Sequence, residues 1–137
     1  MNNRNPILLV EDDSIDAMMV SRALKDLKVP NKLIHQENGE NALDYLKTKG
    51  SEMPCIILLD LNMPRMGGLE FLEIVKKDEQ LKTIPIIILT TSSELQDRHS
   101  SFNYSVAGYM VKPINYHEFV EMMKSISDYW SHSEFPN

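Results

Sequence analysis

The stretch Cys55-Ile-Ile-Leu-Leu-Asp60 decides the fold of this 137-residue chain. The run before the aspartate is apolar on both faces, which is typical of a central strand in a parallel sheet that helices cover on each side. Pro64 and the pair Gly67-Gly68 then require a loop, and an amphipathic stretch over residues 69–77 predicts a helix. The segment therefore predicts one β–α unit of an α/β protein.

The same alternation of short apolar runs and amphipathic stretches extends along the whole chain. Further strands are predicted at residues 6–10, 32–36, 85–89 and 107–111. Further helices are predicted at residues 14–27 and 40–49, from a capping box at Thr91-Ser-Ser-Glu94 to about residue 102, and from an Asn115 cap to about residue 130. Five β–α units in a row predict a three-layer α/β fold with one parallel sheet between helices. We expect a single domain over residues 1–137, with a core at about 7–130 and a short tail at 131–137.

Composition and charge narrow the function classes. A formal net charge of −6 with scattered lysines argues against a nucleic-acid surface, and we expect no DNA-binding domain. The first apolar run is too short for a signal peptide or a membrane span, so we expect a cytoplasmic protein without membrane contact. The single cysteine, Cys55, is predicted to be a buried free thiol. The four histidines share no metal-ligand spacing and are interpreted as ordinary surface or core residues; they are His35, His99, His117 and His132.

Polar side chains stand directly after four of the predicted strands. They are Glu11, Asp12 and Asp13 after the first strand, Asp60 and Asn62 after the third, Thr90 and Thr91 after the fourth, and Lys112 after the fifth. In an open parallel sheet, ligands bind beyond the carboxyl ends of the strands. We therefore expect these side chains to converge on one cleft.

The carboxylates of this cleft predict a metal site. Packed together at neutral pH they would repel one another, and Lys112 supplies only one positive charge. A hard divalent cation with oxygen ligands would supply the rest, and Mg²⁺ suits such a site. Asp12 is predicted to bind Mg²⁺ directly beside Asp60, Glu11 through water, and Asn62 through its backbone carbonyl.

The same cleft has the groups that phosphoryl transfer to a carboxylate requires. Asp60 is the predicted nucleophile, and Thr90 and Lys112 are predicted to donate hydrogen bonds to the phosphoryl oxygens. Each residue taken alone has an ordinary interpretation: Asp60 as a turn residue, Thr90 as a strand end, Lys112 as a solvated charge. One of Asp12, Asp13 and Ser14 is expected to cap the first helix. The joint occurrence at four strand ends favours the functional interpretation.

Four segments of the chain, in this order, resemble the receiver domain of two-component response regulators over about residues 7–129. The segments are Ile7-Leu-Leu-Val-Glu-Asp-Asp13, Leu58-Leu-Asp-Leu-Asn-Met-Pro-Arg-Met-Gly-Gly68, Pro85-Ile-Ile-Ile-Leu-Thr-Thr91 and Gly108-Tyr-Met-Val-Lys-Pro113. The resemblance implies a flavodoxin-like fold, a doubly wound five-stranded parallel sheet of order 2-1-3-4-5 with five helices. It also implies a stand-alone regulator, since no output domain accompanies the segments.

The resemblance assigns a role to each site residue. It makes Glu11 and Asp12 the acidic pair, Asp60 the phospho-acceptor, Thr90 the switch hydroxyl and Lys112 the phosphoryl-binding lysine. It further makes Tyr109 an aromatic switch residue, and it implies a cis peptide bond between Lys112 and Pro113.

The resemblance also implies the protein's partners. The donor would be a phosphohistidine on a sensor histidine kinase or a histidine phosphotransfer protein, and phosphorylation would alter contacts with a downstream target. The protein would not be an enzyme in the usual sense: it would take phosphoryl groups from phosphohistidine or small phosphodonors and lose them slowly. A homodimer through the face of the fourth helix, fifth strand and fifth helix is a further expectation. The aromatic residues Tyr129, Trp130 and Phe135 near the end of the chain resemble those of the small partners of phytochrome-type kinases.

Three alternatives remain open at this point. A haloacid-dehalogenase-type phosphatase also uses an aspartyl nucleophile, but it needs a second carboxylate where this chain has Asn62. A flavodoxin would bind the FMN phosphate at the loop after the first strand, where the acidic residues would repel it. A receiver-like interaction module that works without phosphate would not need the intact acceptor, metal and lysine positions.

Overall fold

The five strands of the computed structural model, which describes residues 4–133, form one parallel sheet in the order β2-β1-β3-β4-β5. The strands are β1 (Ile7–Val10), β2 (Leu33–Gln36), β3 (Ile56–Leu59), β4 (Ile86–Thr90) and β5 (Gly108–Val111). The helices that alternate with them are α1 (Ser14–Asp26), α2 (Gly39–Lys47), α3 (Gly68–Lys77), α4 (Leu95–Asn103) and α5 (Tyr116–Ser131). The predicted fold and strand order are confirmed, and the element ends differ from the predicted ones by only a few residues.

The strand register brings the polar residues that follow the strands to one edge of the sheet. Val10, the last residue of β1, pairs with Gln36 of β2 and with Leu59 of β3. The next residues extend both ladders, because Glu11 N–H donates to Gln36 O at 3.0 Å and Asp60 N–H donates to Val10 O at 3.0 Å. Glu11 and Asp60 are therefore neighbours across adjacent strands, as the sequence predicts.

Two apolar clusters fill the space between the sheet and its helices. Alternate strand residues point to opposite faces. One face, which includes Leu8 and Ile57, packs with residues of α2 and α3 such as Phe71. The other face, which includes Leu9, packs with residues of α1 and α5 such as Phe119. Cys55 lies in this second cluster as a buried thiol outside any disulfide, as expected, and its Sγ accepts from Asn31 Nδ2 at 3.8 Å.

Side-chain caps fix the first residues of three helices. The Asp13 carboxylate accepts hydrogen bonds from the backbone N–H groups of Ile15 at 2.8 Å and Asp16 at 3.1 Å at the start of α1. Asn38 caps α2 through Asn41 N–H at 2.9 Å. Asn115 caps α5, and this predicted cap is confirmed. Of the three acidic residues after β1, Asp13 therefore serves as the N-cap of α1.

The predicted capping box at Thr91-Ser-Ser-Glu94 is wrong. Helix α4 begins at Leu95, and its N-cap residue Glu94 makes no side-chain cap hydrogen bond. The Ser92 hydroxyl instead donates to the Asp97 carboxylate at 2.5 Å, inside the first turn. The same hydroxyl oxygen accepts from Glu94 N–H at 3.4 Å, so Ser92 rather than Thr91 makes the side-chain contacts before the helix.

The expected cis peptide bond between Lys112 and Pro113 is also wrong, because every peptide bond of the described part of the chain is trans. Trans is the lower-energy isomer for a bond before proline. Lys112 N–H donates to Thr90 O at 2.8 Å and so extends the β4–β5 ladder by one residue.

No helix within residues 4–133 is long and apolar enough to cross a lipid bilayer.

Two aromatic residues near the end of α5 are in contact. Trp130 is buried and Tyr129 is exposed, and their rings meet edge to face with 5.1 Å between centroids. Phe135 and the last part of the predicted tail lie outside the described residues.

Candidate functional site

Three carboxylates meet at the edge of the sheet where β1 and β3 end. One oxygen from each of Glu11, Asp12 and Asp60 lies within 4.8 Å of the other two. Glu11 is 1% exposed and Asp60 is 5% exposed, whereas Asp12 is open to solvent. Each follows a buried strand whose register is set by the core, so the cluster is held by the sheet.

The carboxylate cluster fits a divalent cation. Three negative groups so close together repel one another unless protons or a cation neutralise them. Hard divalent cations prefer carboxylate oxygens, and the exposed side of Asp12 leaves room for water or another ligand. Asn62, also proposed as a ligand through its carbonyl, lies two residues after Asp60 on the loop that leads to α3. The chemistry of the cluster therefore suits a divalent cation.

Lys112 points its ammonium group into this cluster from the loop after β5. Its Nζ donates hydrogen bonds to Glu11 and, at 3.0 Å, to the Asp16 carboxylate. Burial opposes the charge of the lysine and lowers its pKa, but the hydrogen bonds to Glu11 and Asp16 and the negative charges of Glu11 and Asp60 outweigh burial and raise the pKa. Lys112 is thus a firmly held cation beside the acidic residues.

Asp16 is a member of this site that the sequence interpretation missed. It lies in the first turn of α1 and shares Lys112 with Glu11. Asp12 precedes the α1 cap at Asp13, so no helical spacing in the sequence links Asp16 to the acidic residues after β1.

Glu11 is the group of the cluster that titrates near neutrality. Burial raises the pKa of its carboxyl, the hydrogen bond from Lys112 lowers it, and the negative charge of Asp60 raises it again, to about 7. Lys112 keeps its proton over this range, so Glu11 is the member of the pair that gains or loses one. A bound divalent cation would compete with the proton on Glu11.

Gly68 lets the loop after β3 pass close behind Asp60. A Cβ atom at this position would lie 2.5 Å from Asp60 O and 2.6 Å from Leu61 Cα. These contacts are with backbone, which cannot turn aside as a flexible side chain could. The neighbouring Gly67 has room, since its nearest atom would be Leu61 O at 3.8 Å. The glycine at 68 therefore supports the backbone position of Asp60.

The two predicted switch residues lie on adjacent strands, Thr90 at the end of β4 and Tyr109 on β5. Thr90 is fully buried, and its hydroxyl oxygen accepts a hydrogen bond from Ser92 N–H at 3.3 Å. The half-buried Tyr109 of β5 donates from its phenol to Ser92 O at 2.9 Å. Thr90 and Tyr109 thus both bind Ser92, which joins them through the β4–α4 loop.

The other polar residues after the strands have different surroundings. Asp13 caps α1, as described above, and its carboxylate is not part of the cluster. Thr91 is exposed and lines an open cavity of about 260 Å³ together with Lys112, Ile114 and Met19. This cavity lies beside the acidic cluster, between α1 and the loop after β5.

Comparisons with known proteins agree with this geometry. The profile of the response regulator receiver domain family matches residues 7–124. The response regulator Rcp1 of Synechocystis sp. is 36% identical over 128 residues, which are 90% of this chain and 87% of Rcp1.

Two solved structures extend the likeness to three dimensions. The phosphorylated cyanobacterial phytochrome response regulator RcpA has a TM-score of 0.92 at 31% identity, covering 98% of this chain and all of RcpA. The Mn²⁺-bound form of Rcp1 has a TM-score of 0.89 at 34% identity, covering 97% of this chain and 99% of that one. With its parallel sheet, its acidic cluster and its matching profile, this chain belongs to the response regulator receiver domain family of two-component signalling.

Proposed function

We propose that this protein is a signalling switch that accepts a phosphoryl group on Asp60 and passes the signal to a partner protein. The observation that carries the proposal is the gathering of Asp60 with Glu11, Asp12 and Lys112 at one edge of the sheet. A buried carboxylate beside a divalent-metal site and a fixed ammonium group is what phosphoryl transfer to an acid requires.

The proposed transfer is a displacement at phosphorus. An oxygen of Asp60 forms a bond to the phosphorus atom of a phosphohistidine, while the bond between phosphorus and the imidazole nitrogen breaks. The electron pair of that bond stays on the imidazole nitrogen.

The proposed metal is Mg²⁺, held by Glu11, Asp12, Asp60 and the Asn62 carbonyl. When bound, it supplies neutralisation of the negative charge on the carboxylates and phosphoryl oxygens.

Lys112 and Thr90 are the proposed hydrogen-bond donors to the new phosphoryl group. Lys112 is shared between two carboxylates, and a phosphoryl group on Asp60 adds a competing acceptor. Thr90 already accepts from Ser92 N–H, and its own hydroxyl proton can be donated to the phosphoryl group. Because Tyr109 binds the same Ser92, a shift of the β4–α4 loop would be transmitted to Tyr109 and the surface around it.

The protein would not turn over a substrate in the manner of a phosphatase. The side chain two residues after Asp60 is the amide of Asn62, which cannot serve as a general acid or base. We propose that uptake from phosphohistidine or a small phosphodonor, followed by slow loss, is the whole of its chemistry. The complete acceptor, metal and lysine set supports a phosphate-dependent switch over a module that works without phosphate.

The proposed donor docks on an apolar rim beside the acceptor. The rim consists of Ile15 and Met18 on α1, each 67% exposed, and the fully exposed Ile114 on the loop after β5. Ile114 lines the cavity that leads to Lys112, and Ile15 and Met18 lie on α1, the helix whose Asp16 and Met19 form another part of its lining. A histidine kinase or histidine phosphotransfer protein could cover the rim while placing its imidazole over the cavity. The likeness to RcpA, a phytochrome response regulator, favours a kinase of the phytochrome type. The proposed compartment is the cytoplasm.

A homodimer is proposed through the face formed by α4, β5 and α5. Each of these elements has a large exposed apolar side chain: Phe102, Val111 and Tyr129. Scattered single apolar residues are ordinary, but one on each of three adjacent elements favours an interface. Sedimentation velocity of the wild type beside Tyr129→Asp tests this proposal.

The phosphoryl proposal is tested by incubating the protein with acetyl phosphate and Mg²⁺ and measuring its intact mass. The expected result is a gain of one phosphoryl group that chelation of the metal prevents. A protein whose mass stays unchanged with metal present would count against the proposal. Steady hydrolysis of a phosphoester substrate would support the phosphatase alternative instead.

A further inference from the structure

The backbone carbonyl of Glu11 lies where the β1–β2 ladder ends. The last paired residues are Val10 and Gln36, and Glu11 N–H donates to Gln36 O at 3.0 Å. Beyond this point the chain turns from the sheet toward α1. The imidazole Nε2 of His35, on the edge strand β2, lies 2.7 Å from Glu11 O. A side chain therefore continues the interaction with β2 where the backbone ladder stops.

The chemistry of this contact defines the direction of the hydrogen bond. A carbonyl oxygen can only accept, so Nε2 of His35 carries the proton and donates it. Both the neutral Nε2–H form and the protonated form of the ring can donate in this way. The contact thus does not depend on the charge of the histidine.

The peptide group that His35 holds joins Glu11 to Asp12. Both residues belong to the carboxylate cluster, so the orientation of this peptide sets the directions in which two of the three carboxylates leave the backbone. Strand β2 binds both backbone groups of Glu11. Gln36 O accepts from the Glu11 N–H, and His35 Nε2 donates to the Glu11 carbonyl. Loss of the imidazole would leave only the first of these contacts.

We propose that His35 is a positioning residue for the metal site, orienting the Glu11–Asp12 peptide so that both carboxylates can face one cation. The inference rests on the proposed metal site. Groups that orient metal ligands from outside the coordination sphere commonly change metal affinity by tenfold or more. His35 acts through the backbone and touches neither the metal nor the phosphoryl group.

The test compares Mn²⁺ affinities of the full chain by isothermal titration calorimetry for the wild type, His35→Leu, His35→Gln and His99→Leu. His35→Leu is expected to weaken Mn²⁺ binding on the order of tenfold. Gln can donate from its amide, so His35→Gln is expected to bind several-fold more tightly than His35→Leu. His99 is exposed on α4, so His99→Leu serves as the control and should match the wild type.

A second readout needs no metal. The backbone amide resonance of Asp12 in the metal-free protein should shift in His35→Leu and return toward its wild-type position in His35→Gln. Wild-type Mn²⁺ affinity in His35→Leu would overturn the inference and leave the proposed function standing. Equal losses in the Leu and Gln variants would overturn it as well, since they would indicate a packing role. A wild-type protein that fails to bind Mn²⁺ would overturn both.

Discussion

Lys112 donates a hydrogen bond to Glu11 across the carboxyl edge of the sheet, joining the loop after β5 to the end of β1. The two side chains are 8% and 2% exposed. Asp16, in the first turn of α1, is the second acceptor of the same ammonium group. Lys112 therefore ties three parts of the chain together beside Asp60, the proposed acceptor.

Replacement of Lys112 by Met should destabilise the metal-free protein, and more so as the pH rises. Breaking a buried ion pair from one side costs about 3 kcal/mol or more, because the remaining charge is left uncompensated. Without the ammonium, the pKa of Glu11 rises further. The folded state then binds a proton that the unfolded state lacks, and stability falls as pH increases through that range. Urea unfolding at about pH 6 and about pH 8 measures the difference.

The exposed Lys124 of α5 gives a matched control for this variant, since Lys124→Met removes the same charge from solvent. It should change the free energy of unfolding little at either pH. A Lys112→Met protein as stable as the wild type at both pH values would show that the ion pair contributes no net stability.

Divalent-metal affinity should increase as the pH rises through about 7, where Glu11 loses its proton. A proton and a cation compete for the same carboxylate, so metal binding releases the proton and is favoured at higher pH.

The stability of the metal-free protein depends on pH in the opposite direction. The raised pKa of Glu11 makes the folded state bind the extra proton between the usual carboxyl range and about 7, so stability falls with increasing pH there.

Calorimetric titration with Mg²⁺ at about pH 6 and about pH 8 measures this dependence. Glu11→Gln should bind more weakly and should lose most of the pH dependence, because the amide does not titrate. An affinity in the wild type that is the same at both pH values would exclude Glu11 as the titrating ligand.

Replacement of Gly68 by Ala should destabilise the protein by about 2 kcal/mol or more, because the added methyl group would overlap backbone atoms of Asp60 and Leu61. Gly67→Ala should be nearly neutral, since its methyl group meets only ordinary contacts. Thermal unfolding of both variants gives the comparison. Similar melting temperatures for the two would show that the loop behind Asp60 can shift freely.

Replacement of Ile15 by Asp should impair phosphoryl transfer from a histidine phosphodonor protein and leave uptake from acetyl phosphate unchanged. Ile15 is exposed, so its replacement removes a contact with the phosphodonor protein and leaves the packing of the hydrophobic core unchanged. Asp in the first turn of α1 is also favourable to the helix. Leu95→Asp, which replaces an exposed apolar residue in the first turn of α4, is the control. Equal loss with both phosphodonors would indicate damage to the site itself.

Much of this architecture is predictable from local sequence. The apolar run before Asp60 and its counterparts identify the strands, and a parallel sheet necessarily brings their carboxyl ends to one edge. This is why the cluster of Glu11, Asp12 and Asp60 could be predicted without coordinates. The choice of Asp13 as the α1 cap could be narrowed to three candidates but no further, since all three residues have suitable oxygen atoms.

The features that were missed depend on partners far apart in the chain or on competition between equivalent groups. Asp16 and Lys112 are separated by 96 positions, and nothing local links them. His35 reaches Glu11 O because β2 happens to lie at the sheet edge beside it. At α4 the Ser92 hydroxyl could serve the backbone or Asp97, and the pattern of residues alone does not decide between them. The peptide bond before Pro113 likewise depends on the folded loop.

The most direct measurement is the location of the phosphoryl group after the protein has reacted with acetyl phosphate and Mg²⁺. Rapid digestion and peptide mass spectrometry of the wild type and of Asp60→Asn would provide it. One phosphoryl group is expected on the peptide that contains Asp60, and none in the Asp60→Asn protein, which should remain folded. A phosphoryl group on Asp12 or Asp13, or undiminished uptake by Asp60→Asn, would contradict the assignment of Asp60 as the acceptor.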